Sequence, residues 1–563
     1  MQPDGMEIPR IIIAALRGGS GKTILSIGII AALRKLGNSI APFKKGPDYI
    51  DSGWLALAAG QPCYNLDSFL LSQEDNLNSF LYHSEDRSIS VIEGNRGLFD
   101  GIDLAGSTST AELAKLLQCP VVLCVDCTKI TRTMAAVVMG CSLFDPDVMV
   151  KAVILNRVAN LRHEKKLRDS IEHYCGMPVL GAIPKLDQQH FPERHLGLVP
   201  TAEHDWATDA IEAIANIAEQ HLDLNDILKI SRQAPGLKTD SRRKTEGGDQ
   251  RSEVRGRKTE DRRQRTEDRS QKSEDRGQRS EVRIQKTGDR GREAESKDLK
   301  GELGSQNSEG GIRKLETRYS RRENQSSYQV SRIQLRASST KHPVSGIEQP
   351  GPRIGIIQDS AFQFYYPENI DALSDEGAEV VFVSPLKDRE LPDLDALYIG
   401  GGFPETHAEK LAANKRFSQQ LKALADDGFP IYAECGGLMY LGEQLILEGN
   451  PYCMVGILPV AFDFYKKPQG HGYTIVTVEG KNPYYDVGTE IKGHEFHYSR
   501  VSNWTGAQND LVFRMKRGAG IHKDRDGIVY KNVLATYTHV HALGTPGWAA
   551  ALVRNAVEFR NSR

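Results

Sequence analysis

The sequence predicts an α/β protein: two doubly wound α/β domains joined by a long, charged, disordered segment. Three observations carry that prediction. The chain has 563 residues, more than a single hydrophobic core supports, so two or more domains are expected. Residues 1–230 and 351–563 each alternate short β-rich apolar runs with helical patterns, the signature of a largely parallel sheet. Between them the composition breaks sharply: from Ser231 to about Pro350 the chain is Arg, Lys, Glu, Asp, Ser, Gln and Gly, with few apolar residues.

In the first half the apolar runs are "IIIAAL", "SISVIEG", "CPVVLCVD", "MVKAVILNRV" and "MPVLGAIP". Ile11–Ala15 reads as a strand and Thr23–Leu33 as a helix. The middle segment repeats a heptad-length unit, "RKTEDRRQRTEDRSQKSEDRGQRSEVRIQKTGDR". A coiled coil needs two apolar positions per heptad, and here those positions are charged or polar. Such a segment cannot offset its ordering entropy by burial. It reads as a tether, with a solvated helix held by i,i+4 charge pairs as the alternative. The second half opens with "RIGIIQD", "AEVVFVSP", "LDALYIGGG" and "FPIYAECGG". In open sheets of this kind ligands lie beyond the carboxyl ends of the strands, which is where function is sought.

Charge and cysteine usage exclude several classes. Lys plus Arg number 72 and Asp plus Glu 74, a formal net charge of −2. That balance gives no global reason to bind nucleic acid or an anionic membrane. Eight scattered cysteines, with no signal-like start and no apolar run of spanning length, lead to the expectation of a cytoplasmic protein. Cys124 and Cys127 form a C-x-x-C inside an apolar strand-like run. With no second pair at zinc-finger spacing, they read as structural.

Between the first strand and its helix lies Leu16-Arg17-Gly18-Gly19-Ser20-Gly21-Lys22-Thr23. The common phosphate-loop pattern would begin with glycine where this chain has Leu16. The donors survive that change. Gly18, Gly19, Ser20 and Gly21 can turn backbone N–H groups toward an anion, and the helix adds the positive end of its dipole. Lys22 can reach the outer phosphates and the Thr23 hydroxyl can ligate Mg²⁺. More oxygen ligands are available from Asp48 and Asp51 in "FKKGPDYIDSGW", after the second strand, and from Glu93, which closes "SISVIEG" ahead of Asp100. Carboxylates there suit Mg²⁺, although each could also cap a helix or tie a loop. Lys44 and Lys45 could neutralise a phosphorylated or carboxylate substrate.

The second half carries a thiol at a tight turn. "FPIYAECGGLMYLG" reads strand, turn, helix, with Cys435 at the turn and Gly436 and Gly437 after it. Small residues permit the strained backbone that projects a nucleophile out of a sheet, and a helix N-terminus lowers a thiol pKa. The turn "YIGGGFPE" supplies amides from Gly401 and Gly402 for an oxyanion. A thiolate needs a base, and "ATYTHVHALGTPGW" offers His539 and His541. These alternate along a strand-like run, so at most one meets Cys435. "KGHEFHYSR" holds His494, Glu495 and His497, read as substrate contact or packing because no further metal ligand is evident.

The loop from Arg17 to Thr23 resembles the K-G-G-x-G-K-T variant of the MinD, ParA and nitrogenase iron-protein group, with Arg17 in place of the signature lysine. In the related dethiobiotin synthetase pattern the first glycine would fall on Ala15. The motifs "YIGGGFPE", "YAECGGLMYLG" and "ATYTHVH" resemble a class I glutamine amidotransferase domain of the cobyric-acid-synthase type. "KKGPDYIDSGW", "NLDSFL", "VIEGNRGLFDG", "VILNRVANLRHEKKLR" and "FPERHLGLVP" resemble, in order, the cobyrinate a,c-diamide synthase family. The likeness covers nearly all of both predicted domains, and the charged insert has no counterpart in it.

The resemblance implies ATP- and glutamine-dependent amidation of two carboxylates of a tetrapyrrole. It implies that Cys435 attacks glutamine with His539 as base, His541 being held in reserve. It gives ATP and Mg²⁺ to Lys22 and Thr23, and metal-linked or catalytic roles to Asp48, Glu93 and Asp100. Asp51 belongs to the same motifs, and Asn156 falls where relatives contact adenine. Tyr49 and Ile50 are read as positioning the macrocycle's side chain. The expected partners are small molecules (cobyrinic acid or a related tetrapyrrole, glutamine and ATP), with no nucleic acid and no membrane. A homodimer stays open. So do Ni-sirohydrochlorin or hydrogenobyrinic acid as substrate, and a MinD/ParA-like regulatory ATPase as the rival class.

Overall fold

The computed structural model describes residues 6–185, 193–194, 197–198, 207–237, 350–507 and 510–563. The tether expected over 231–350 lies almost wholly outside the described residues, as does most of "FPERHLGLVP". Of that motif, Glu193–Arg194 and Gly197–Leu198 pair as a short antiparallel ladder.

The first domain is built on seven strands: β1 Arg10–Ala15, β2 Ile40–Lys45, β3 Tyr64–Leu66, β4 Ile89–Glu93, β5 Val121–Asp126, β6 Val150–Val158 and β7 Val179–Pro184. Their order is β3-β2-β4-β1-β5-β6-β7, and every neighbouring pair is parallel. β1 is buried along its whole length, because helices cover both faces of a parallel sheet and its central strands read as unbroken apolar runs. Ile11 and Ile13 pack on one face with helix α1, Lys22–Lys35, and with the helix Ala207–His221. Ile12 and Ala14 pack on the other. The chain continues past its last helix to Leu237, whose backbone pairs with Met6.

The second domain has a ten-stranded mixed sheet. Its parallel part runs Glu379–Val383, Arg353–Ile357, Ala396–Ile399, Ile431–Glu434 and Val533–Thr536, which includes all four strands expected from sequence. The remaining strands extend it antiparallel, through Arg525–Tyr530, Leu511–Arg517, Gly470–Val478 and Glu490–His497 to His539–Val540. The last pairing aligns His494 with His539.

The two domains share a seam. The Asn65 amide donates to Glu368 (3.0 Å), the Tyr64 hydroxyl to Asp371 (3.1 Å) and the Tyr473 hydroxyl to Asp67 (2.8 Å). Leu70, Leu71 and Tyr366 form a small apolar cluster there, with Tyr49, Phe69 and Tyr473 packed against it. Among the described residues no helix is long and apolar enough to cross a membrane.

Candidate active site

At the end of β1 the chain turns through the glycine-rich loop and enters α1 at Gly21, whose φ of 89° lies in the left-handed region. A Cβ at Gly21 would stand 2.2 Å from Asn156 Nδ2, so both the turn and the close approach call for glycine here. Asn156 braces the loop: its amide donates to the Ser20 carbonyl at 2.8 Å, and its Oδ1 accepts from the Arg157 amide at 2.9 Å. Lys22 is held by the Arg96 carbonyl (2.7 Å) and, at longer range, by the Arg17 carbonyl (3.4 Å). Burial lowers its pKa, against the opposing pull of Glu93.

Behind the loop the predicted carboxylates converge on one ammonium. Lys44 Nζ lies 2.7 Å from Asp51 Oδ2, 2.7 Å from Glu93 Oε1 and 3.8 Å from Asp48 Oδ2. The Thr23 hydroxyl donates toward Glu93 Oε1 (2.9 Å) and Asp51 Oδ2 (3.2 Å). Lys44 near the end of β2 and Glu93 at the end of β4 meet here because the parallel ladder pairs them directly. Burial opposes the charge on Lys44, but Asp51 and Glu93 outweigh it and raise its pKa. Burial, then Asp51, pushes the Asp48 carboxyl up to about 6. Burial pushes Glu93 up to about 7, against the counter-pull of Lys44. Burial would raise Asp51 too, but Lys44 holds it below the usual range. Asp100 turns back on its own loop, accepting from the Gly97 amide at 2.8 Å.

Could these residues hold Mg²⁺? Among the described residues no three His, Cys, Asp or Glu side chains form a ready-made metal cage. Mg²⁺ rarely asks for one, taking one or two carboxylates and completing its octahedron with phosphate and water. Glu93 Oε2 is buried and without a hydrogen-bond partner, while Oε1 of the same carboxylate accepts from the Thr23 hydroxyl. That hard-oxygen pair, with Asp48 next to it, fits the ion.

In the second domain Cys435 caps a short helix, Gly436–Leu441, with φ 48° and ψ −95°. That is a strained conformation for a residue with a Cβ, of the kind found where a nucleophile leaves a sheet. Its amide donates to the Thr536 carbonyl at 2.7 Å, which fixes the elbow beside the strand leading to His539. His539 Nδ1 lies 3.3 Å from Glu434 Oε2, and the other Glu434 oxygen accepts from the Val540 amide at 3.1 Å. The Tyr398 hydroxyl also donates to Glu434, at 3.1 Å. A Cβ on Gly401 would lie 2.5 Å from His539 Cε1, and one on Gly436 would lie 2.9 Å from the Gly402 nitrogen. The Gly402 nitrogen therefore lies close to the turn that carries the thiol. Burial, then Glu405 and Glu434, raises the Cys435 pKa, while the Gly436 amide pulls it down.

His541 faces elsewhere. It is buried, 3.5 Å from Glu368 and 4.6 Å from the Tyr366 ring, and neither of its nitrogens has a hydrogen-bond partner. His494 stacks on His539 at 4.9 Å and meets the Tyr366 hydroxyl at 3.2 Å. Burial, then His539 and His541, lowers its pKa far below the ordinary value. His497 meets the Ser499 carbonyl, and Glu495 accepts from the Ala519 and Gly520 amides.

A cavity of about 780 Å³ joins the two centres. Its lining includes Gly18, Gly19, Gly21, Lys22, Thr23, Asp48, Tyr49, Ile50, Asp51, Glu93 and Asp100 from the first domain, and Gly402, Cys435 and His539 from the second. Ser20, Asn156, Gly401 and His541 are not among the lining residues. Tyr49 spans the seam: its ring centre lies 5.5 Å from that of His539, 5.4 Å from His494 and 4.7 Å from Tyr366.

Comparison with known proteins gives two domain matches. Residues 11–198 match the CobQ/CobB/MinD/ParA nucleotide binding domain, and residues 353–546 the CobB/CobQ-like glutamine amidotransferase domain. The cobyrinate a,c-diamide synthase of Magnetococcus marinus is 36% identical over 97% of this chain and 97% of its own length. That of Archaeoglobus fulgidus is 36% identical over 98% of each, and that of Methanosarcina acetivorans 35% identical over 99% of this chain and 97% of its own. The chain belongs to the cobyrinate a,c-diamide synthase family.

It is accordingly a glutamine-dependent amide ligase of cobalamin biosynthesis with a nucleotide-binding domain. Two residues of this synthase escaped the motif reading. Glu434, which orients His539, is visible in sequence only as the acid next to the nucleophile in "YAECGG". Lys44, read there merely as a possible neutraliser of substrate, is the hub of the acidic cluster. Cys124 and Cys127 are both buried and donate to backbone carbonyls, as structural thiols do.

Proposed function

We propose that this synthase converts the a and c carboxylates of cobyrinic acid to carboxamides, each through an acyl phosphate, with nitrogen drawn from glutamine. The observation that carries the reading is the single cavity lined by Cys435 and His539 at one end and by Lys22, Thr23 and the carboxylates at the other.

At the thiol end, Cys435 Sγ attacks the glutamine carboxamide carbon. His539 accepts the thiol proton and passes it to the departing ammonia, leaving a thioester that water hydrolyses to glutamate. Glu434 keeps His539 in the tautomer and orientation that this transfer needs. Gly402 and Gly436 face the oxyanion with their amides. His539 is the base and His541 a packing residue.

At the other end the γ-phosphoryl group of ATP moves to a substrate carboxylate, giving ADP and an acyl phosphate, and ammonia displaces the phosphate. A free carboxylate resists that attack because its charge repels the nucleophile and oxide is a poor leaving group. Gly18, Gly19, Ser20 and Gly21 cradle the phosphates, Lys22 neutralises charge on them, and Asn156 keeps the loop in shape. Thr23, Asp48 and Glu93 hold Mg²⁺, which supplies charge neutralisation on the triphosphate. Asp51 shares Lys44 with Glu93 and so orders the cluster. Asp100 fixes its loop, and Tyr49 and Ile50 wall the space beside the reacting side chain.

The test is incubation of the purified protein with ATP, Mg²⁺, glutamine and each of cobyrinic acid, hydrogenobyrinic acid and Ni-sirohydrochlorin, followed by mass measurement of the tetrapyrrole. Two successive carboxylate-to-carboxamide changes on cobyrinic acid support the reading. Turnover confined to another macrocycle redirects it, and no ADP with any of the three overturns it.

A further inference from the structure

Away from the Lys44 cluster, three cations line the same cavity without an acid of their own. Lys45, the last residue of β2, is only 4% exposed and makes no hydrogen bond or ion pair with the described residues. Burial lowers its pKa, and the carboxylate it feels most is Asp67. Asp67 is already engaged: it accepts from the Phe69 and Leu70 amides and from the Tyr473 hydroxyl. Arg96 presents an exposed guanidinium from the loop after β4. Arg517 enters from the other domain, its guanidinium 5.7 Å from the centre of the Phe69 ring. Both arginines act electrostatically on Tyr473, which bonds Asp67, and all three cations, drawn from two domains, line the one cavity that Tyr473 also lines. A buried ammonium left without a partner is costly unless a ligand completes it.

We infer that Lys45, Arg96 and Arg517 form a docking site for the peripheral, non-reacting carboxylates of a polycarboxylate macrocycle. The inference rests on the substrate reading given above. An arginine fork takes a carboxylate through two parallel bonds, and a lysine takes one as a point charge. Contributions from both domains hold the ring across the seam, with Tyr473 at its edge. Its other acid groups are then gripped while one is presented to the phosphoryl donor. A macrocycle whose peripheral acids are already amides lacks what this site recognises.

The test measures KM for cobyrinic acid and for ATP, and direct binding of cobyrinic acid without ATP, in Lys45→Met, Arg517→Met and the exposed neighbour Arg514→Met. Loss of one charge-assisted contact corresponds to roughly ten- to hundredfold in affinity. We expect KM and Kd for cobyrinic acid to rise by that factor in the first two and to hold in Arg514→Met, with KM for ATP moving far less. A corrinoid with every peripheral acid amidated should fail to compete with cobyrinic acid for the wild-type protein. Arg517 is exposed, so its variant keeps the test sound should Lys45→Met fold poorly. An unchanged KM for cobyrinic acid in Arg517→Met, or a rise confined to ATP, overturns the docking site. Absence of amidation by the wild-type protein overturns instead the substrate reading beneath it.

Discussion

Glu434 and Cys435 are neighbours in sequence yet do different work. One carboxylate oxygen of Glu434 meets the His539 ring and the other the Val540 amide, while the thiol sits on the strained elbow. Glu434→Gln keeps the shape and removes the charge that fixes the imidazole. It should lower glutamine-dependent kcat by about 10²–10⁴-fold, by analogy with the loss of a triad acid, and spare turnover on high ammonium. Cys435→Ala should lose glutamine-dependent turnover by at least about 10³-fold and also keep the ammonium reaction. Burial and acidic neighbours hold the resting Cys435 thiol protonated, whereas Cys453 is exposed. Brief treatment with iodoacetamide, read by peptide mass mapping, should therefore label Cys453 first. The nucleophile was legible because a glycine turn after a strand is a strong local signal. The orienting acid was not, because nothing in a lone Glu says which histidine about a hundred residues later it will meet.

The elements that make the sites depend on close approach. Gly401 lets His539 stand where a methyl group would be, and Gly21 does the same for Asn156. Gly401→Ala should displace the imidazole and cut glutamine-dependent turnover while leaving ammonium-dependent turnover in place, as paired assays would read. Lys44→Met would leave Glu93 and Asp51 facing one another unneutralised. Breaking a buried ion pair by removing one partner costs about 3–5 kcal/mol, so denaturant unfolding should show a lowered midpoint. The central parallel strands of both domains could be read from sequence because both their faces are buried and their residues are mostly apolar. The antiparallel extension could not. "GHGYTIVTV" and "KGHEFHYSR" alternate polar with apolar residues and carry histidines. The second reads as substrate contact or packing until its pairing puts His494 opposite His539.

At the scale of the molecule the seam matters most, and sequence motifs say nothing about it. Each half was recognisable alone. The bonds Tyr473–Asp67, Asn65–Glu368 and Tyr64–Asp371 join residues some 300 to 400 positions apart, a separation that no local pattern encodes. Tyr49 packs its ring against His539 from the opposite domain. Replacing it with alanine removes an aromatic side chain from the seam, at a cost of about 3–5 kcal/mol if the gap does not close. Glutamate released per amide formed should rise above one in Tyr49→Ala and stay near one in Tyr49→Phe.

That same ring bears on any attempt to treat the glutaminase as an interchangeable part. A donor half grafted from elsewhere would arrive with its histidine bare on one side, since the cover is encoded more than 400 positions upstream. Chimaeras of this enzyme should therefore be cut to carry the tyrosine and its receiving pocket together.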